Sequence, residues 1–448
     1  MNAKRLILSA TVALLLAGPI AQARIKLVAL PERAATIIRL DNPNATLIEE
    51  ERVLTLQQGL NKVDFSWKGV QIDEEGRDRL VVHGRGLRGL QPPTVPLDCG
   101  GSGTTMRLIS GILAGQTFDC VLTSNEALRK RPMDRVIEPL RRMGADISGD
   151  RDRFPPLRIG GGQIHGMVYH LPVASAQVKS CLLLAGLYAT QPTVLHEPAP
   201  SRDHTERMLR AMGVKVDHQD GVITLQPPPT GQPPLAPLDI RVPGDFSSAA
   251  FFLVGASLLP NSSLRLLDVN VNPTRTGLYD VLIRMGARIR LENERTLGGE
   301  PVADLEVGHN PLESTVVGGD LVPRMIDEFP ILAVAATQAQ GVTVIRDAAE
   351  LRVKESDRVA TTVAELSRLG ARIEERPDGF VVTGPTPLQG AEVDCHKDHR
   401  LAMSLAIAGL VARGETVIHN AGSIADSFPG FAEMLEGIIA PLDAERRA

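Results

Sequence analysis

The amino-acid sequence predicts an α/β protein made of repeated units, with helices inside and sheets outside, on two observations. The pattern Leu-x-x-Met/Leu-Gly-Ala/Val-x-Ile/Val recurs around Gly144, Gly213, Gly286 and Gly370, at intervals of about 70 to 85 residues. Each copy predicts an amphipathic helix that stops at the glycine as its C-cap, followed by a strand. Interleaved with these are segments apolar nearly all round: Met106 to Ala114, Gln177 to Ala189, Ala249 to Leu259, Ile331 to Ala339 and Leu401 to Val411. A helix with no polar face is a buried helix, and none of these is long enough to cross a bilayer.

Taken in order, Lys4 and Arg5 precede an apolar run from Leu6 to Ala17 and then Ala21-Gln22-Ala23. That is the layout of a secretory leader cut after Ala23, so 1–23 is a leader-like segment; a buried N-terminal helix is the other reading. Residues 24–73 alternate as strands, at Ile25 and Leu27, Ala35 and Ile37, and Val53 to Leu56, and predict a small antiparallel sheet without catalytic residues. Gly69-Val70-Gln71-Ile72 looks like the tail of a further copy whose helix is absent, and Leu80 to His83 like the strand after it. A first globule is expected over 74–242 and a second over 243–440, divided by the proline-rich stretch Pro227 to Pro237.

Composition narrows the function. With 43% hydrophobic and 23% charged residues and a net charge of -5, the chain is an ordinary globular one and lacks the general basicity of a nucleic-acid binder. Cys99, Cys120, Cys181 and Cys395 show no metal-site or disulfide spacing and are expected to be buried thiols.

The chemistry concentrates in polar residues just before each apolar segment. These are Gly100 to Thr105, Ser175-Ala176-Gln177, Gly244 to Ser248, Asp327-Glu328 and Lys397 to Arg400. Each alone is explained as an N-cap, for which Ser175, Ser247 and Asp327 are suited. Together with Leu-Arg-Val-Lys-Glu-Ser-Asp-Arg at 351–358, they predict several helix N-termini converging on an anionic ligand. Lys354 and Arg358, four apart, are expected on one helical face. Asp327 and Glu355 are candidates for a base and an acid, tuned by Lys354, Arg358 and Arg400. No hydrolase elbow or metal-ligand set is present, so metal-free chemistry is expected.

These motifs together resemble the enolpyruvyl transferase family: Gly-Ser-Gly-Thr-Thr-Met-Arg at 101–107, Arg-Lys-Arg-Pro-Met at 129–133, Ala-Ser-Ala-Gln-Val-Lys at 174–179, Asp-Glu-Phe-Pro at 327–330, Arg-Val-Lys-Glu-Ser-Asp-Arg at 352–358 and Asp-His-Arg at 398–400. The resemblance runs from about Gly69 to about Leu435. It implies two inside-out α/β barrels of βαβαββ repeats that close over the substrates, here with the first repeat replaced. It implies transfer of the enolpyruvyl group of phosphoenolpyruvate to the 5-hydroxyl of shikimate 3-phosphate, releasing phosphate. Asp327 then acts as base and Glu355 as acid. Gly103, Arg131, Gln177, Arg358 and Arg400 match the phosphoenolpyruvate positions, with Gly103 leaving room for glyphosate. Ser175, Ala176, Gln177, Ser201, Asp327 and Lys354 match the shikimate 3-phosphate positions. It further implies a monomer with two small-molecule substrates, no cofactor, no metal, no nucleic acid and no membrane anchor, in the cytoplasm, against which the leader-like segment argues for export.

One departure stands out. The family opens with a Pro-Gly-Asp-Lys-Ser-Ile-Ser-His-Arg type segment that contacts both substrates, and residues 1–73 contain none; Val242 to Ser248 is an echo without its Lys and Arg. The expectation is a weakened enzyme. The alternatives are an exported protein using the barrel remnant as a scaffold, or the sister enzyme acting on a UDP-amino sugar, which needs a reactive cysteine that none of the four supplies.

Overall fold

A computed structural model describes residues 80–229 and 235–445, together with the strands Leu6–Ser9, Arg24–Leu27 and Gln71–Glu74. They form two compact mixed α/β units. One takes in the described residues of 38–241 with 298–300; the other takes in 242–297 and 301–445 with the two N-terminal strands.

The repeated glycines are what the sequence pattern predicts. The surface helices Asp134–Arg142, His204–Ala211, Gly277–Arg284 and Arg358–Arg368 each run into a glycine at positive φ: Gly144, Gly213, Gly286 and Gly370. Only glycine enters that region without a Cβ penalty, and the chain then closes the helix end with the same bond each time. Ala145 N donates to Leu140 O at 3.0 Å, Val214 N to Leu209 O at 2.9 Å, Ala287 N to Leu282 O at 2.9 Å and Ala371 N to Leu366 O at 3.0 Å. In two copies an arginine also fastens the helix to the following strand, Arg141 Nε to Ile147 O and Arg210 Nε to Val216 O, both at 2.7 Å.

The strands form sheets of one recurring plan. In Leu97–Asp98, Cys120–Thr123, Phe154–Gly160 and Asp146–Asp150 the first pair is parallel and the next two antiparallel. The same order and sense hold for Val168–His170, Thr193–His196, Val222–Leu225 and Val216–Gln219. They hold again for Val316–Val317, Gly341–Ile345, Gly379–Gly384 and Arg372–Arg376. The strand Ser263–Asn270 keeps the plan with its parallel partner reduced to a single bridge, Gly244 to Val269.

Inner helices alternate with these sheets. In the unit beginning at 242 they are Phe246–Leu258, Phe329–Gln338 and His399–Val411, buried almost without interruption. In the other unit the described ones are Gly103–Ala114 and Ala176–Gly186, on which Leu108, Ile109, Ile112 and Leu184 remain partly exposed. All five begin one to three residues earlier than their apolar runs, because residues ahead of each run occupy the helix's first turn. Among the described residues no helix is long and apolar enough to cross a membrane.

The N-terminal stretch differs from expectation. Leu6–Ser9, inside the leader-like segment, is a strand rather than the start of a helix, paired antiparallel with Arg24–Leu27. Arg24–Leu27 lies parallel to Glu415–His419, which is itself parallel to Glu392–Asp394, so it joins a mixed sheet instead of an antiparallel one of its own. Gln71–Glu74 and Leu80–His83 pair antiparallel. The strands expected near Ala35 and Val53 lie outside the described residues.

The two inner helices of the first unit meet backbone to backbone at Gly111, where a Cβ would lie 2.1 Å from Cys181 O. Neither backbone can yield cheaply in a packed core, so Gly111→Ala is expected to destabilise the fold by about 1–3 kcal/mol. Urea unfolding of the variant beside the parent measures it.

Candidate active site

Arg358 organises the polar end of the unit beginning at 242. Asp357 caps its helix, accepting from Val359 N at 3.1 Å and Ala360 N at 3.0 Å, which sets the first-turn guanidinium pointing inward. That side chain is 1% exposed and surrounded by carboxylates. Its Nε meets Asp398 Oδ2 at 2.8 Å, Nη1 meets Asp327 Oδ1 at 3.1 Å and Nη2 meets Glu355 Oε2 at 2.7 Å. Burial by itself would push the arginine's pKa down, yet Asp398, Glu355 and Asp327 outweigh it and hold the pKa above the ordinary value. Asp398 is buried outright and would be pushed up, but Arg358 beside it keeps the carboxyl below its usual range.

Lys354 completes the group, with Nζ 3.7 Å from Asp327 Oδ1. It does not share a helical face with Arg358, as their spacing predicts. A 3-10 turn, Ala349–Val353, ends at Lys354, and the helix starts at Arg358. The two cations reach Asp327 from a turn and a helix because the intervening residues form a bend rather than continuing either. Asp398 also caps the inner helix His399–Val411, accepting from Arg400 N at 2.9 Å, and so places Arg400 in that helix's first turn. Nη1 of Arg400 is buried without a hydrogen-bond partner among the described residues. Burial, then the charge of Arg400, push His399 below its usual pKa, so the ring stays neutral between the two.

Two capping expectations are corrected here. Asp245, not Ser247, caps Phe246–Leu258, accepting from Ser247 N and Ser248 N, both at 3.2 Å. Asp327 lies one residue ahead of the cap position, which leaves its carboxylate for Arg358 and Lys354.

The first unit holds the remaining candidates at its own helix N-termini. Ser102 caps Gly103–Ala114, accepting from Thr105 N at 3.1 Å, and Ser175 caps Ala176–Gly186, accepting from Val178 N at 3.5 Å. Gln177 joins the two ends: its amide donates to Thr104 Oγ1 at 2.6 Å and its carbonyl accepts from Arg107. Arg107 also donates to Pro132 O at 3.2 Å, drawing in the segment of Arg131. A Cβ on Gly103 would lie 3.5 Å from Arg131 Cζ, so these two residues face each other. Gly103, Arg131, Ser175, Ala176 and Gln177 are therefore neighbours.

Ser201 stands apart, 3% exposed, with its hydroxyl donating to Glu197 Oε2 at 2.7 Å. Its carbonyl accepts from Lys179 Nζ at 3.2 Å, and that buried ammonium lies 3.1 Å from Glu197 and 2.8 Å from Glu206. Lys179, one turn beyond Ser175, thus fastens the Ser201 segment to the helix whose N-terminus carries Gln177. The sequence reading assigns no role to Arg107 or Lys179, although each lies within one of the motifs; the signal is a charged residue at an otherwise apolar helical position.

The family model described as EPSP synthase (3-phosphoshikimate 1-carboxyvinyltransferase) matches residues 67–435. The 3-phosphoshikimate 1-carboxyvinyltransferase of Desulforudis audaxviator is 53% identical over 375 residues, which cover 84% of this chain and 86% of that one. That of Citrifermentans bemidjiense is 52% identical over 376 residues, covering 84% and 86%. The structure of EPSP synthase from Acinetobacter baumannii superposes with a TM-score of 0.72 at 45% identity, over 82% of this chain and 84% of that one. The enolpyruvyl transferase NikO from Streptomyces tendae, at 17% identity and a TM-score of 0.65, shares the fold. The chain belongs to the EPSP synthase (3-phosphoshikimate 1-carboxyvinyltransferase) family.

Proposed function

We propose that the residues gathered at these helix N-termini carry out the family's reaction, the addition of shikimate 3-phosphate to phosphoenolpyruvate followed by loss of phosphate. The observation that carries this reading is the pair of carboxylates on one buried guanidinium. Asp327 and Glu355 both contact Arg358, at 3.1 and 2.7 Å, yet differ in their other surroundings. Asp327 has a second cation, Lys354, at 3.7 Å and is the less exposed of the two. Such asymmetry lets one carboxylate serve as base while the other delivers a proton.

In this assignment Asp327 takes the proton of the 5-hydroxyl as its oxygen bonds to C2 of phosphoenolpyruvate, and Glu355 protonates the C3 methylene. In the elimination Glu355, now a carboxylate, takes a proton back from C3, the enol ether forms as the C2–O bond to phosphate breaks, and the phosphate leaves with the proton that Asp327 took. Gly103, Arg131 and Gln177 of the first unit, and Arg358 and Arg400 of the second, are assigned to phosphoenolpyruvate, the arginines offsetting the negative charge of its carboxylate and phosphate. Ser175, Ala176, Gln177, Lys354 and Asp327 are assigned to shikimate 3-phosphate. Ser201 is assigned there too by its motif position, although its proton is engaged by Glu197. The recurring sheet plan and buried helices support reading each unit as an inside-out barrel, and the reaction needs only a monomer.

The UDP-amino-sugar reading is disfavoured by the thiols. All four cysteines are buried. Burial pushes Cys99 and Cys181 up to about 12 and Cys120 and Cys395 up to about 11, so none offers a thiolate near neutral pH.

Three outcomes test the proposal. Asp327→Asn keeps the shape and removes the base, and turnover measured by phosphate release is expected to fall by about two to four decades. Arg400→Met should weaken phosphoenolpyruvate binding by about 1.5–3 kcal/mol, the worth of a charge-assisted contact, read by calorimetry. The unmodified chain is expected to complement an aromatic-auxotrophic bacterium poorly, and one carrying a Pro-Gly-Asp-Lys-Ser-Ile-Ser-His-Arg type unit in place of 1–73 to complement it well. Two missing charged contacts amount to about 3–6 kcal/mol, or roughly two to four decades in affinity. Equal growth of the two strains would refute the weakened-enzyme expectation.

A further inference from the structure

Asp327 is held at its carboxylate by Arg358 and Lys354, but its backbone belongs to a turn, Arg324 to Glu328, that is fastened on both sides. Ahead of it, Arg324 Nε donates to Pro273 O at 2.7 Å and Nη2 to Asp280 Oδ2 at 2.6 Å. Behind it, Glu328 is 2% exposed and accepts a hydrogen bond from the Ser247 hydroxyl, which in turn accepts from Arg275 Nη2 at 2.6 Å. Pro273 and Arg275 belong to one short loop, 272–277, so both fastenings return to it.

That loop is itself rigid. Asn272 is fully buried, and its side-chain oxygen accepts from Thr274 N at 2.9 Å and Thr274 Oγ1 at 2.7 Å. Its backbone oxygen accepts from Arg275 N at 2.8 Å, and its own N–H is held by Asn270 Oδ1 at 3.0 Å. A third, independent contact is steric. At Gly277 a Cβ would stand 3.0 Å from Met325 Cβ and 3.1 Å from Arg324 C and Cβ, so the loop's end presses on the turn with no room for a methyl.

We infer that the loop 272–277 is a clamp that positions Asp327 for proton abstraction, with Ser247 and Glu328 as positioning residues that touch neither substrate. The inference rests on Asp327 being the base. A carboxylate must meet the hydroxyl proton within hydrogen-bond reach, and displacement by a fraction of an ångström lowers the rate without changing what binds. The clamp fixes this distance from a side of the turn that the substrate-facing cations do not touch.

Gly277→Ala is the discriminating variant. Gly277 is not in the left-handed region and is the first residue of Gly277–Arg284, where alanine is a better helix former, so the chain should fold while the methyl pushes on Arg324 and Met325. Turnover measured by phosphate release is expected to fall about five- to tenfold, with KM for both substrates within about twofold of the parent. Amide hydrogen exchange across 322–330 should quicken. Ser247→Ala, acting at the other end of the turn, should move both readings the same way. Unchanged turnover in Gly277→Ala, or a loss that appears in KM instead, overturns the clamp. Absence of turnover in the parent with both substrates would refute the function reading instead. The clamp is then decided by exchange alone, and unaltered exchange across 322–330 in both variants overturns it.

Discussion

The buried Arg358 guanidinium is the constraint on which this molecule's polar architecture depends. A cation taken out of water is tolerated only if its charge and donors are met, and three carboxylates meet this one. They come from three places in the chain: the turn ahead of one inner helix, the segment before the arginine's own helix, and the cap of another inner helix. Meeting the arginine's demand therefore fixes these three elements against one another. A lysine could not do so, because one ammonium lacks the planar fork that engages Asp398 with Nε while Nη1 and Nη2 reach Asp327 and Glu355.

The first unit solves a similar problem with the charges arranged differently. Lys179 is wholly buried between Glu197 and Glu206 and spends a further bond on the carbonyl of Ser201. In both units an inner helix thus carries or caps a buried ion cluster within its first turns, while the rest of the helix is apolar. The first turn has unpaired N–H groups and tolerates charged side chains, while the body takes polar ones mainly as hydroxyls folded back onto a helix carbonyl. Core and site are accordingly two ends of the same helices.

This division explains what the sequence made legible. Helix bodies such as Leu401 to Val411 were readable because only Ser404 interrupts the apolar run, its hydroxyl folded back onto Arg400 O, and the four glycine caps because glycine is the residue that ends a helix in that conformation. The starts were misplaced because Asp245 and Ser247 look alike in sequence, and which one caps depends on what the other bonds. Asp245 caps because Ser247 has turned toward Glu328 and Arg275. The partners of Arg358 were half legible: Glu355 is three residues away, whereas Asp398 is forty away, and no periodicity connects them. The inward turn of Ser201 toward Glu197 was not legible, since a motif match gives the residue and not its rotamer.

The N-terminal stretch shows where fold and chemistry make different demands on a sequence. Glu415–His419 pairs on one side with Glu392–Asp394, and its other edge needs a row of backbone donors and acceptors. Arg24–Leu27 supplies that row with Arg-Ile-Lys-Leu, aligned Arg24 to Glu415 and Leu27 to Ile418. Backbone pairing asks only for an extended segment, so a stretch with no resemblance to the family can close the sheet. Binding two phosphorylated anions asks for particular cations at particular places, which no generic strand supplies. A strand can therefore fill a sheet edge without supplying any of the cations that such binding needs.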